Sequence, residues 1–466
     1  MTRTLSVGSD VTALLTEIAL ETREEVLSPR DSELMRLLLL DSLGCALMSG
    51  TRAPLRSIVE TLSTHDQGQH RVWGTSATAS MRTSVMLSAA LVHGFEFDDQ
   101  CLGAGLHAGA ATVPAALGLT RDQKVSGIEL LTALKSGTEV GIALGRLLSG
   151  GPGRRGFHIH CWTGAFASAA TGSALLKLSP QQTTYAFGIA GAVTGGFISA
   201  QYGTEVKRLQ AGRAAEAGVL GAILSASGME GIVGIVERPD GGIASSIAGM
   251  LPNEVASGRI AIDPRQRWAD RAIAFKSVPC KIGIQSAYAA LDALLTSTGI
   301  TVTKVDRVRV LAPEHLLHRV GHHYVAGDAQ AAQASLRFIL AYRLLAGAVD
   351  TESFGESQLN DPAIIRFANE QIDLVPDGQV TVEQAAAAWM AEVTLLTTDG
   401  EVLISPKGEA TPWFPGNYDI DGIKAKFLNQ AVMVLSPKQA SRLLRAIWGI
   451  HEETDAYEAL NAAFSI

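Results

Sequence analysis

Along the first 270 or so residues apolar positions recur at helical spacing and do not alternate as they would in a strand. The segment opening at Asp31 carries Leu34, Leu37, Leu38, Leu40 and Leu43. That density exceeds one face and predicts a helix buried on most sides. Ser80–Val92 repeats the pattern with Ala and Met replacing many leucines. Ala108–Leu119, Ser126–Leu148, Thr163–Leu178 and Arg208–Ala226 continue it. Ser179-Pro180 has the form of a helix start, with Ser as cap and Pro in the first turn. The stretch from Ser179 to Thr204 has no formal charge and is long enough to cross a bilayer. Its glutamines, threonines, serines and glycines predict instead a buried helix pair in a protein core.

The pattern changes after Arg271. Lys304–Leu311 alternates valine with polar residues, the signature of a half-buried strand. Glu392–Thr398 and Glu401–Ile404 flank Asp399-Gly400, a two-residue hairpin signal. Helical segments such as Ala329–Leu345 lie between them. Beyond Trp413 helical spacing returns over Ile423–Asn429 and Pro437–Trp448. The fold expected is therefore mainly α. A large all-helical domain is built from residues 1–271 and 409–466, and a smaller α+β domain, 272–408, is inserted as a lid.

Composition narrows the classes. Of 466 residues, 47% are apolar and 18% charged, which is a globular chain with ample core. The net charge of −8, with no basic run, excludes nucleic acid as the main partner. Cys45, Cys101, Cys161 and Cys280 form no CxxC pair and are expected as free thiols of a reducing compartment. The N-terminal 25 residues have no apolar core behind basic residues, so neither export nor membrane insertion is expected and the location expected is cytoplasmic.

Several windows could carry chemistry. Gly151-Pro-Gly153-Arg-Arg-Gly156 matches GxGxxG, but a helical pattern precedes it where a dinucleotide site needs a strand, so it is expected as a flexible inter-helix loop. His158-x-His160-Cys161 and His322-His323 offer imidazoles, yet nothing nearby completes a three-ligand zinc site, and no metal or cofactor is expected. Residues 93–107, HGFEFDDQCLGAGLH, hold three carboxylates and two histidines interleaved with phenylalanine. Carboxylates half-buried in this way need partners, and histidines are the natural ones. Lys207-Arg208 follows the charge-free stretch as a candidate anion binder. Lys276 and Lys281 flank Val278-Pro279-Cys280 at the domain junction, where they could close over an anion.

Taken in order, HGFEFDD, a histidine before a small-residue helix, GFHxxxxxG, GTxxKRLxxG, FKxxPC and a D-G hairpin resemble the MmgE/PrpD family over nearly the whole chain. That family contains dehydratases, decarboxylases and epimerases of small di- and tricarboxylates. The resemblance implies a helical domain with an α+β lid, a homodimer, and an active site between the two domains that uses no metal or organic cofactor. Matched to the family motifs, Glu96 stands where the decarboxylases have an aspartate, and His107, His158, Lys207 and Lys276 fall on their site histidines and lysines. Gln100 replaces a threonine, Lys281 a histidine, and Phe338 aligns with a lid tyrosine. His160 has no family counterpart and is expected as a supporting group.

The function implied is a cofactor-independent lyase acting on a small anionic carboxylate, by dehydration or decarboxylation. His107 and His158 would move the proton, and Lys207 and Lys276 would act on the developing charge. Glu96, Gln100, Arg208 and Lys281 would bind substrate. An epimerase of a dicarboxylate, and a polycarboxylate-binding protein without turnover, are the alternatives that these replacements leave open.

Overall fold

The computed structural model describes residues 11–148, 151–201, 203–255, 266–378, 390–405, 413–416 and 418–464. Two compact units divide the chain: Met1–Phe275 with Asp419–Ile466, and Lys276–Tyr418. The second unit ends at residue 418 rather than 408; the expected boundary at 408–409 lies outside the described residues.

The first unit is helical because its apolar runs recur at helical spacing, several of them behind a serine cap. Its helices are α1 (Val11–Glu24), α2 (Pro29–Gly50), α3 (Ala53–His65), α4 (Met81–Val92), α5 (Ala108–Thr120), α6 (Gly127–Leu148), the single turn α7 (Gly151–Arg154), α8 (His160–Leu175), α9 (Pro180–Val193), α10 (Val206–Ala226) and the turn α11 (Ala269–Ala272). Ser28 caps α2 through a hydrogen bond from the Asp31 N–H, with Pro29 in the first turn. Ser179 and Gln182 form a full capping box on α9. The leucines of α2 are buried around the whole circumference, as their density predicts.

α8 is the central helix, packed against α5, α6, α9 and α10. It is made almost wholly of small residues, and its neighbours answer with glycines. A Cβ on Gly137 of α6 would collide with Thr171, and one on Gly218 of α10 would collide with Ser168. Such closeness lets backbones approach and gives a dense interior from few aromatics. Phe166 and Phe187 stack at 5.1 Å within the same core.

The second unit carries α12 (Ile282–Thr298), α13 (Glu314–Val320), α14 (Ala329–Gln333), α15 (Leu336–Leu345), α16 (Glu356–Leu359) and α17 (Pro362–Glu370). They accompany a sheet of β5 (Val305–Pro313), β6 (Ile372–Asp377), β7 (Glu392–Thr397) and β8 (Val402–Ile404), ordered β6-β5-β7-β8. β6 pairs parallel to β5 and the other contacts are antiparallel. The chain then returns to the first unit as α18 (Ile420–Ala431), α19 (Pro437–Trp448) and α20 (Ala456–Ala463). Lys426 of α18, itself buried, donates to Asp41 of α2 at 2.6 Å and to the Phe97 carbonyl at 2.6 Å.

Four expectations need correction. Ser179–Thr204 holds one helix, α9, followed by a half-exposed loop and a short 3-10 turn (Ile198–Gln201), because Gly195 and Gly196 end the helical run. Ala329–Leu345 is broken into α14 and α15, since Ser335 turns back to cap the Phe338 N–H. The β7–β8 turn is one residue longer than expected: the Gly400 N–H closes a turn on the Thr397 carbonyl, and Gly400, at φ 88°, leads to Glu401, whose carbonyl accepts from the Thr397 N–H. The GxGxxG window begins with the turn α7 rather than a loop. The first unit also contains short strand pairs, β1 (His70–Arg71) with β2 (Thr78–Ala79), and β3 (Gln100–Cys101) with β4 (Ile273–Ala274). Among the described residues no single helix is long and apolar enough to cross a membrane; α2 with α3 meets the length only as a pair bent by 91°.

Glu139 of α6 fastens the segment that leads to β4. Its buried carboxylate accepts from the backbone N–H groups of Trp268 at 2.7 Å and Ala269 at 3.1 Å. Burial outweighs these donors and pushes its pKa up to about 7. The folded state therefore binds one more proton than the unfolded state between about pH 4.5 and 7. This contribution to stability is full below pH 4.5 and is lost as pH rises through 7. Urea unfolding at pH 5 and pH 8 should show wild type losing about 3 kcal/mol more over that interval than Glu139→Gln. Equal losses would place no titrating proton on Glu139.

Candidate functional site

The loop between α4 and α5 buries three carboxylates within four residues, and each meets a different kind of partner. Glu96 sits at φ 54°, a left-handed conformation that a non-glycine residue adopts only under constraint. Its carboxylate is held by two cations of the first turn of α10: Lys207 in close contact, and Arg208 at 3.2 Å. All three side chains are buried. Two cations in a helix's first turn oppose its dipole, so their placement is set by what they face.

Asp99 accepts from the N–H groups of Ala108 and Gly109, both at 2.9 Å, and so closes the N-terminus of α5. A Cβ on Gly109 would collide with Ser42 Oγ and lie 2.7 Å from that carboxylate, which is why a glycine stands there. Burial beside Asp98 and Asp41 pushes the Asp99 pKa well above the usual range. Asp98 faces histidines. Its Oδ2 lies 2.8 Å from Nδ1 of His93, the residue that ends α4, and 3.0 Å from Nδ1 of His107, which precedes α5.

The imidazoles are held in defined states. His107 Nδ1 is 2.7 Å from the Asp99 carbonyl, which can only accept. Nδ1 therefore carries the hydrogen, and Nε2 is the basic atom of the neutral ring. His158 repeats the arrangement with different parts. Its Nδ1 lies 2.8 Å from Gln210 Oε1, and the Gln210 amide donates to the Phe197 carbonyl at 3.1 Å. The amide orientation is thus set, and His158 again presents Nε2 as the base. Its pKa falls to about 4, through burial first and then the Lys207 charge. His160 is fully buried, and its Nδ1 accepts from the His107 N–H at 3.3 Å. Burial, then the neighbouring His107 and His93, drives its pKa well down. Ring centroids of His160 lie 5.3 Å from His107 and 6.0 Å from His158.

The structure thus brings Glu96, His107, His158, Lys207 and Arg208 together within the first unit. His158 lies in the turn before α8, two residues ahead of the helix start at His160. Gln100 is half-buried in β3, opposite Ala274. Lys276 and Lys281 belong to the second unit. Lys276 is buried; Lys281 precedes α12, donates its N–H to the Gln333 carbonyl at 2.9 Å and helps lower the pKa of His322, after burial. Phe338, matched to a lid tyrosine, is fully buried in an aromatic cluster of the second unit, its ring 4.6 Å from that of Tyr324. His93, Asp98, Asp99 and Gln210 were not singled out in the sequence. The first three stand in the acidic window without assigned partners, and Gln210 offers no signal beyond its spacing of three from Lys207, which puts both on one helix face.

With fold and site in place, the comparisons agree. The MmgE/PrpD N-terminal domain matches residues 14–253 and the MmgE/PrpD C-terminal domain matches residues 278–451; the chain belongs to the MmgE/PrpD family. It is similar to a cis-aconitate decarboxylase of Aspergillus terreus, 33% identical over 218 residues, which cover 45% of this chain and 44% of that protein. A cis-aconitate decarboxylase-like protein, oryM, of Aspergillus oryzae is 26% identical over 447 residues, 91% of each chain. The human cis-aconitate decarboxylase is 25% identical over 370 residues, 75% of this chain and 74% of that one. The chain thus spans under half the length of the first of these relatives and nearly all of the second.

Removing Glu96 would leave two buried cations without their carboxylate. Glu96→Ala should lower unfolding free energy by about 3 kcal/mol or more, read by chemical denaturation. The double variant Glu96→Ala, Lys207→Met should recover part of that loss, and a Glu96→Ala protein of unchanged stability would rule out the buried ion pair.

Proposed function

We propose that the chain is a cofactor-independent lyase that removes CO₂ or water from a small di- or tricarboxylate. The observation that carries this reading is the pair of buried imidazoles, His107 and His158, each held with its basic Nε2 available, beside the Lys207–Arg208 pair. Those two cations face the Glu96 carboxylate, and the pair is the positive part of the cluster. Together with the N-terminus of α10 it favours an anion. When charge develops on carbon next to a carboxylate, fixed cations stabilise it without reorganisation.

His158 is neutral at physiological pH by virtue of its low pKa, and so suited to accept a proton from carbon. In dehydration the proton passes from carbon to Nε2, the C–H electron pair forms the new double bond, the C–O pair leaves with hydroxide, and the imidazolium so formed returns its proton to the hydroxide as water. In decarboxylation CO₂ departs, its bonding pair remains on the substrate, and carbon is protonated by an imidazole that has first taken a proton from solvent on Nε2. Gln100, Lys276 and Lys281 are kept as substrate-binding groups on their chemistry alone. The names of the relatives make cis-aconitate the first substrate to try.

Proton NMR in deuterated water, with cis-aconitate and a panel of hydroxy-tricarboxylates and dicarboxylates, should show a new alkene product or CO₂ release. His158→Ala should lower kcat/KM by about 100-fold or more. The acid limb of the wild-type kcat/KM profile should lie near pH 4. Deuterium wash-in without alkene or CO₂ would assign an epimerase. Binding without turnover across the panel would end the lyase reading.

A further inference from the structure

Behind His107 lies a row of buried groups that the chemistry above does not itself use. His93 and Asp98 are both fully buried, and the Asp98 Oδ2 atom is shared between Nδ1 of His93 and Nδ1 of His107 at 2.8 and 3.0 Å. Ligand atoms of His93, Asp98 and His107 lie within 4.8 Å of one another, close enough to suggest a cation site. The hydrogen bonds argue otherwise. A cation on His107 Nδ1 would displace the proton that serves the Asp99 carbonyl at 2.7 Å and would leave that buried acceptor unserved. With hydrogen on both Nδ1 atoms, His93 donates to Asp98 Oδ2 and His107 donates to the Asp99 carbonyl, with Asp98 Oδ2 3.0 Å from the same His107 nitrogen.

We propose that Asp98 and His93 are positioning residues for His107: the carboxylate, beside the Asp99 carbonyl that accepts the hydrogen, helps hold the imidazole as its Nδ1–H tautomer, and His93 holds the carboxylate. The proposal rests on the reading of His107 as a proton-transfer group. Burial keeps His93 neutral, with a pKa near 3, so it orients Asp98 without cancelling its charge. When His107 Nε2 takes a proton, the new positive charge on the ring faces Asp98 Oδ2, 3.0 Å from Nδ1. The proton on Nδ1 stays where it is. When Nε2 returns its proton, the N–H electron pair goes back to the ring. The remaining charged and titratable neighbours, Asp99 and Glu96 on the loop, His158 and His160 beside α8, and Lys207 on α10, do not supply an acceptor side chain to Nδ1. His160 steadies the backbone of His107, not its ring.

The test reads the tautomer directly, by ¹⁵N NMR of histidine-labelled, substrate-free enzyme at neutral pH, with the His107 signals assigned by their loss in His107→Asn. His107 should show a protonated Nδ1 and a bare Nε2. In Asp98→Asn the exclusive tautomer should give way to a mixture, and kcat should fall by about 100-fold or more with KM changed by less than roughly threefold. His93→Gln, which keeps a donor to Asp98, should retain most of the kcat that His93→Leu loses. A wild-type spectrum with the proton on Nε2 overturns the proposal, as does an Asp98→Asn enzyme with wild-type tautomer and kcat. If Asp98→Asn does not fold, the wild-type spectrum alone decides. If no carboxylate is turned over, the lyase reading fails while the tautomer still stands or falls by its own spectrum.

Discussion

Everything at the candidate site depends on compensating three carboxylates buried within four residues of one loop. Charges removed from water survive only when hydrogen-bonded or paired. Here each receives a different kind of compensation: two cations for Glu96, two imidazoles for Asp98, two backbone amides for Asp99. The three solutions draw on α4, α5 and α10, so the loop ties these helices together through polar contacts in an otherwise apolar interior. The left-handed backbone of Glu96 is a local cost that this network holds in place.

Because the compensation is directional, it also sets which atoms remain reactive. The acceptors committed to His107 and His158 are a backbone carbonyl and a glutamine oxygen, neither of which titrates near neutrality. The two rings are thereby oriented alike although one belongs to the loop before α5 and the other to the turn before α8. The paired cations on α10 stand in that same region, so proton acceptors and positive charge are supplied by separate elements of one helical unit.

Much of this was legible in the chain. Leucines too dense for one face marked α2 as buried, and the serine-proline pair marked the start of α9. The order of short motifs pointed to His107, His158 and Lys207 with no three-dimensional information. What was not legible has physical reasons. β6 joins its sheet in parallel across a long crossover, so no local alternation announces it; Pro376 is tolerated there because the strand is at the sheet's edge. The partners of Asp98 depend on His93 lying at the end of one helix and His107 at the start of another, a proximity that spacing cannot express. Gln210 acts by orienting a ring 52 positions away. Phe338 aligns with a lid tyrosine but is fully buried among aromatic rings, which alignment could not tell, since it fixes a place in the chain and not the direction of a side chain.

The return of the chain into its first unit bears on how the protein is made. Lys426 reaches Asp41 across 385 positions and also holds the Phe97 carbonyl inside the acidic loop. During synthesis the N-terminal helices emerge with that loop lacking its late-arriving lysine, and the whole of Lys276–Tyr418 must be translated before it comes. The helical unit therefore cannot finish folding in the order in which it is translated. Until α18 arrives, a ribosome-bound chain exposes the apolar face of α2 that this helix will cover.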